Sequence, residues 1–389
     1  MNFARFTLVS LLGYPTYTAS RSATAFGLTL SSNISPRQVS HWSNKQTFIT
    51  GAASVRREGV FFRRSMSDSN HGGKEEDEEL LFVDVGANLL DDMYRGMYHG
   101  KERHEADLDR VLQRAWDNRV DKLVVTAGTV EESRAALEMA LQDPRTFSTV
   151  GIHPTRCNNV TSDDIKEMRD ICIKGIMDGT VVALGELGLD YARTQFCSPE
   201  LQKEGLKAQL DGLLDLNLPL FLHNRDTGMD LVNLLSEYNN TMSNNNNRIK
   251  GVVHSFDDTL EVAQAYMDLG FYVGINGCSL KTEDNLKVLK QLPLERIVLE
   301  TDCPWCDIRP THASHTHVTT TFPTKKDKQY QPDSCVKGRA EPCHIIQVAE
   351  VVAGVHGVPL AKVAQQTRLN AHNVFGGLQK KSKDAPTHS

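Results

Sequence analysis

The 389-residue chain contains no run approaching the ~20 consecutive apolar residues that a membrane-spanning helix requires, so no membrane partner is expected. It also has no Gly-x-Gly-x-x-Gly turn after its first apolar run, which removes the dinucleotide-binding reading of an α/β chain. Cysteine is sparse. Eight residues are scattered through segments that read as strands and helices, without the spacing of a disulfide framework, and reduced thiols are expected. Cys303-x-x-Cys306, with Cys335 and Cys343 downstream, could form a four-thiolate zinc site. The second pair is separated too widely for the usual spacing, however, and a redox pair would need a thioredoxin-like context that is missing.

Acid is nearly absent at the start. Residues 1–67 carry eight Lys and Arg against Glu58 alone, a net +7, leaving −13 from Asp68 onward in a chain of −6. Such a basic, Ser/Thr-rich leader without a compact apolar core has the composition of a mitochondrial or plastid transit peptide. Translation from Met66 would instead give a cytoplasmic or nuclear form with a polar start. The acidic remainder lacks the basic face that sequence-independent gripping of duplex phosphates needs. A nucleic-acid enzyme is still allowed, because bound cations can supply positive charge locally. The expected organisation is a leader and acidic linker at 1–79, one catalytic domain at 80–378 and a tail at 379–389.

What is present, from Leu80 on, is a series of short Val/Ile/Leu/Phe runs: LLFVDVG, KLVVTAG, STVGIHP, VVALGELGLD, LPLFLHNRD, GVVHSF, FYVGING and RIVLETDCP. Amphipathic helix-length segments lie between them, one opening on the helix-start pair Ser198-Pro199. Continuous hydrophobicity marks strands buried on both faces, and eight such units in alternation predict a closed parallel (β/α)8 TIM barrel, with its chemistry at the carboxyl ends of the strands. Two segments depart from the pattern. The Asn-rich stretch at 238–247 is expected as a surface loop, and residues 305–339 as a long connection lidding the barrel mouth.

The strand ends are polar: Asp84, Gly86 and Asn88 on the first, His153 on the third, Glu186 and Asp190 on the fourth, His223 and Arg225 on the fifth, His254 on the sixth, Glu300 and Asp302 on the eighth. Three histidines and several carboxylates on one rim are a ligand set for Mg²⁺, Mn²⁺ or Zn²⁺. Two such ions sharing a carboxylate, with Glu186 as the bridge, could activate water and neutralise charge on a phosphodiester. Asp302 could ligate an ion and accept the proton of the attacking water.

GIHP, GELGLD, LHNRD, VVHSF, GINGCS and ETDCPW, in that order, resemble the TatD family of metal-dependent deoxyribonucleases within the amidohydrolase-like barrels. GCSLKTE, TFPTKK and EPCHIIQ look closest to its eukaryotic branch. The resemblance implies Glu186, His223, His254 and Asp302 as metal ligands, with Glu186 and Asp302 catalytic. It makes His153, Arg225 and Asp190 substrate-facing, and Tyr191 and Trp305 candidates to stack a terminal base. Many relatives end strand one in His-x-His; here the stretch reads Asp84-Val85-Gly86-Ala87-Asn88, with no histidine at either place. Either Asp84 or Asn88 would help to hold a second ion with hard oxygen ligands, which favours Mg²⁺ over Zn²⁺, or that ion arrives with the substrate, giving one or two ions in all. The implied activity is 3′ to 5′ exonuclease action on single-stranded or damaged DNA, with DNA as partner and no protein partner expected. The alternative is an esterase or deacylase, for example on aminoacyl-tRNA, on the same barrel.

Overall fold

A computed structural model describes residues 80–242 and 248–380, so the leader, the linker to residue 79 and the tail from 381 lie outside the described residues. The eight apolar runs become β1 (Phe82–Ala87), β2 (Val120–Val125), β3 (Thr146–Val150), β4 (Val181–Asp190), β5 (Leu220–Arg225), β6 (Gly251–His254), β7 (Tyr272–Ile275) and β8 (Ile297–Leu299). They form one sheet in chain order, every neighbouring pair parallel. Just past β8 the ends meet. Asp302 N–H donates to Gly86 O and Asn88 N–H to Cys303 O, both at 2.8 Å, which closes the (β/α)8 barrel.

Among the described residues, seven α-helices separate the strands: α1 (Leu108–Asp117), α2 (Val130–Gln142), α3 (Ser162–Asp178), α4 (Pro199–Leu213), α5 (Asp230–Met242), α6 (Leu260–Asp268) and α7 (Glu283–Gln291). The helices α8 (Ile345–His356) and α9 (Leu360–Val374) follow β8. One apolar layer lies between helices and sheet, as with Leu206 and Leu210 of α4 and Leu184 and Leu189 of β4. The interior cluster of Val83, Val85, Val124, Phe147, Phe221, Val252 and Val298 is joined by Val374, Phe375 and Leu378 at the end of α9. Burial on both sides is why these strands read as unbroken apolar runs.

Local chemistry sets the ends of helices. Ser198 caps α4 ahead of Pro199, as the sequence predicts. Thr161 and Asp164 form a reciprocal capping box at the start of α3, with Thr161 N–H donating to Asp164 Oδ2 at 2.8 Å and Asp164 N–H to Thr161 Oγ1 at 3.2 Å. Thr161 is exposed and Asp164 half-buried, so Thr161→Ala is expected to cost about 1 kcal/mol with no repacking. Urea unfolding measures it, and a change below ~0.3 kcal/mol would mean that the cap is redundant.

Two sequence expectations change. Residues 238–242 continue α5, whose buried Leu231, Leu234 and Leu235 carry the helix into the Asn-rich stretch; residues 243–247 lie outside the described residues. The connection at 305–339 is not a lid. Only Trp305 and Cys306 of it line the mouth among the described residues. Farther on, Thr319 and Thr320 bind the Glu350 carboxylate on α8, and Thr324–Lys325 pairs with Cys335–Val336. The segment is drawn along the flank because its polar groups find their partners there.

Candidate active site

The motif GELG is a consequence of close strand approach. Gly185 and Gly188 have φ of +153° and +146°, and a Cβ on them would stand 2.3 Å from Phe221 O and 2.0 Å from His223 O. Only glycine lets β4 lie this near β5, and Glu186 between them is thereby aimed at the histidines of its neighbours.

Glu186 Oε1 is the point of convergence. It lies 2.8 Å from His223 Nδ1, 2.8 Å from His254 Nε2 and 3.4 Å from His153 Nε2. His223 uses its second nitrogen on Asp190 Oδ2 at 3.0 Å. His153 Nδ1 accepts Thr155 N–H at 3.1 Å, so in the neutral ring the proton sits on Nε2, facing Glu186. Across the barrel, Asn88 donates to Asp302 Oδ1 at 2.8 Å and accepts the Thr126 hydroxyl at 2.5 Å. Glu300 Oε1 takes Ser255 N–H at 2.5 Å and Asn276 Nδ2 at 3.0 Å, below His254.

Burial and charge compete at each group. Burial pushes the Glu186 carboxyl up, yet the histidines, His254 foremost, outweigh it and hold it well below the usual carboxylate range. Burial disfavours charged His223 and His254, but the carboxylates beside them raise both. For His153 burial wins, taking it down to about 3 against the pull of Glu186. Burial lifts Asp302 to about 7, opposed chiefly by His254.

Glu186, His223 and His254 each offer a ligand atom, mutually within 4.8 Å, and His153, Asp190 and His223 form a second such group. A mixed carboxylate and imidazole set fits a divalent cation. Asp190 Oδ1, His254 Nδ1 and Glu300 Oε2 are buried with no hydrogen-bond partner among the described residues, as expected of acidic and imidazole groups arranged for more than one another.

A cavity of about 630 Å³ opens over these groups, lined by Asn88, His153, Glu186, His223, Arg225, His254, Asp302 and Trp305. Three expected site residues are not on its wall. Asp84 is fully buried behind it, accepting Thr301 N–H at 3.0 Å and Thr301 Oγ1–H at 2.6 Å, so its oxygens brace β1 to the end of β8. Burial, opposed by those Thr301 bonds, raises its carboxyl to about 7. Asp190 stands buried behind His223, with Oδ2 at 3.0 Å from that ring's Nε2. Tyr191 is turned to Asp230, its hydroxyl donating at 2.9 Å, with Lys203 over its ring. Trp305 remains on the rim, 50% exposed.

The mouth also holds cations that the sequence reading passed over. Arg156, Arg193 and Lys281 join Arg225 on the wall. Their signal was position: Arg156 follows His153 by three residues, and Arg193 follows Asp190 by three. Cysteine brings a further correction. Cys278 and Cys306 form a disulfide, although no disulfide was expected. Twenty-eight residues separate them in sequence, and only the adjacency of the loops after β7 and β8 brings them together. Cys306 Sγ lies 3.1 Å from Asp302 Oδ2. Cys303 is buried in an apolar cluster with Tyr94 and Ala87, so the four-thiolate grouping does not form.

The family profile described as TatD related DNase matches residues 83–376. The Deoxyribonuclease Tat-D of Schizosaccharomyces pombe is 37% identical over 306 residues, covering 77% of this chain and 96% of the relative. A 3′-5′ ssDNA/RNA exonuclease TatD of Erwinia tasmaniensis is 29% identical, covering 75% and 98%. Among solved structures, the hydrolase TatD family protein from Entamoeba histolytica superposes with a TM-score of 0.71 at 35% identity, covering 77% of this chain and 99% of the other. With the barrel, the ordered motifs and these relatives in agreement, the chain belongs to the TatD-related DNase family.

Proposed function

We propose that this protein is a metal-dependent deoxyribonuclease that hydrolyses phosphodiester bonds from the 3′ end of single-stranded or damaged DNA. The observation carrying the reading is the convergence of His223, His254 and His153 on Glu186 Oε1, with Asp302 facing the same cavity under a rim of Arg156, Arg193, Arg225 and Lys281. Glu186, His223, His254 and Asp302 would hold the cation. Bound there, a divalent ion supplies positive charge to the phosphoryl group and acidifies water. Asp302 Oδ2 accepts the proton of the attacking water, since Oδ1 is already engaged by Asn88. The rim cations hold phosphate oxygens in a body that is otherwise acidic, and Trp305 offers a face to the terminal base. Mg²⁺ is the proposed ion, on the carboxylates of Glu186 and Asp302. Mn²⁺ and Zn²⁺ belong beside it in the test because two imidazoles also suit them.

The experiment follows 3′-labelled and 5′-labelled single-stranded oligonucleotides incubated with the full chain under each ion and under EDTA. Stepwise shortening from the 3′ end that EDTA abolishes supports the reading. Metal-loaded protein that leaves both labels intact while cleaving an ester substrate would replace it with a carbonyl hydrolase, a reading that nothing in the cavity otherwise favours.

A further inference from the structure

We propose that the flank of the barrel carries a second metal site, a structural Zn²⁺ centre made by Cys335, Cys343 and His344. One ligand atom from each lies within 4.8 Å of the others. None of the three lines the barrel-mouth cavity, so this site is independent of the nuclease reading.

The three residues come from two pieces of chain. Cys335 opens the two-residue strand Cys335–Val336, held to Thr324–Lys325 by parallel pairing and by its own N–H donated to Pro323 O at 2.8 Å. Cys343 and His344 lie in the 3-10 turn Pro342–His344 that leads into α8. The thiols are 2% and 0% exposed. In that position they are closed to bulky oxidants and reagents, but they are sited to share a small ion between two segments.

The chemistry is that of a soft site. Two thiolates and an imidazole select Zn²⁺ over Mg²⁺, and water fills the fourth tetrahedral place. Ligation requires deprotonated sulfur, so binding of the ion releases the thiol protons. Glu341, two residues before Cys343, is neutralised by Arg114 and Arg339, so it does not compete for the ion. One bond stands in the way. Glu341 N–H donates to His344 Nδ1 at 2.8 Å, and ligation through either ring nitrogen gives up that cap. A single backbone hydrogen bond is small against two zinc–thiolate bonds.

The consequence is structural. The ion would staple the end of the long 305–339 connection to the start of α8, while the barrel mouth keeps its harder carboxylate and imidazole set. The chain would then hold two kinds of metal with different resistance to chelators.

The test uses the full chain, purified under reducing conditions without a metal-affinity tag. Zinc content is measured after dialysis against EDTA, and Co²⁺ is then exchanged into the protein. The expected result is one tightly held zinc per chain, together with the near-ultraviolet thiolate-to-cobalt absorption of a tetrahedral site. Both persist in Glu186→Gln and Cys306→Ser. In Cys335→Ser and Cys343→Ser the absorption is lost and zinc affinity falls at least about 100-fold. Wild-type protein with stoichiometric Co²⁺ but no thiolate band overturns the proposal without recourse to any variant. A band that survives Cys335→Ser in folded protein overturns it equally.

Discussion

Asp302→Asn is expected to lower kcat on a single-stranded oligonucleotide by ~10²–10⁴-fold while leaving the protein folded. The substitution is nearly isosteric. Asp302 sits at φ +49°, a left-handed conformation that asparagine tolerates as well as aspartate, so the backbone turn after β8 survives. The amide oxygen can take the place of Oδ1 and keep the Asn88 bond of 2.8 Å. The amide nitrogen then occupies the Oδ2 position and presents a donor where the attacking water needs an acceptor. Stability should not fall, because burial already raises the aspartate to about 7 and the neutral amide avoids that desolvation. Kinetics at increasing Mg²⁺ separate two roles. A loss that excess ion repairs assigns Asp302 to metal binding, whereas a loss that persists at saturation assigns it to the proton. A variant within about 10-fold of wild type would remove Asp302 from the chemistry altogether.

The barrel was legible because its physics is written locally. Strands buried on both faces must be apolar throughout, so VVALGELGLD marks β4 at both ends. Glu186, His223, His254 and Asp302 stood out because each interrupts such a run at a carboxyl end, where a buried polar group requires a partner. What escaped notice depends on pairs distant in sequence. The hydrogen bonding of buried Asp84 is set by Thr301, 217 residues away. Asp190 and Tyr191 are adjacent, yet one turns inward to His223 and the other outward to Asp230. Nothing in their spacing distinguishes the two. The Cys278–Cys306 bond likewise exists only because consecutive loops meet on one rim. The expected lid failed for a related reason: length measured a loop's reach, but the fixed partners Glu350 on α8 and Asp107 ahead of α1 determined where it lies.

Those partners carry the largest expected effect on stability. Arg339→Ala should destabilise the fold by about 3–5 kcal/mol, a large part of the ~5–15 kcal/mol that a domain typically has. The guanidinium is 1% exposed. It donates to both oxygens of Asp107, at 2.8 and 2.6 Å, to Glu341 Oε1 at 3.0 Å and to Met93 O at 3.1 Å, and lies over the Tyr94 ring. Glu341 also holds Arg114, at 2.8 and 3.1 Å. Two acids and two bases are thus balanced out of water, and removing Arg339 leaves Asp107 buried without its cation. Lysine restores the charge but not the two-pronged fork, so Arg339→Lys should fall between the two. Adding Asp107→Asn to Arg339→Ala removes the stranded charge and should recover part of the loss, which a purely steric effect would not. Urea unfolding at neutral pH measures all four proteins, and a loss under ~1 kcal/mol for Arg339→Ala would reduce the network to a surface-like pair. The network also reaches the catalytic rim. Tyr94 Oη–H donates to Ala340 O at 2.9 Å and Ala340 N–H to Pro304 O at 2.9 Å, two residues beyond Asp302. Loosening Arg339 therefore loosens the turn that aims the proposed base, so activity should decline in the folded fraction as well as with its population.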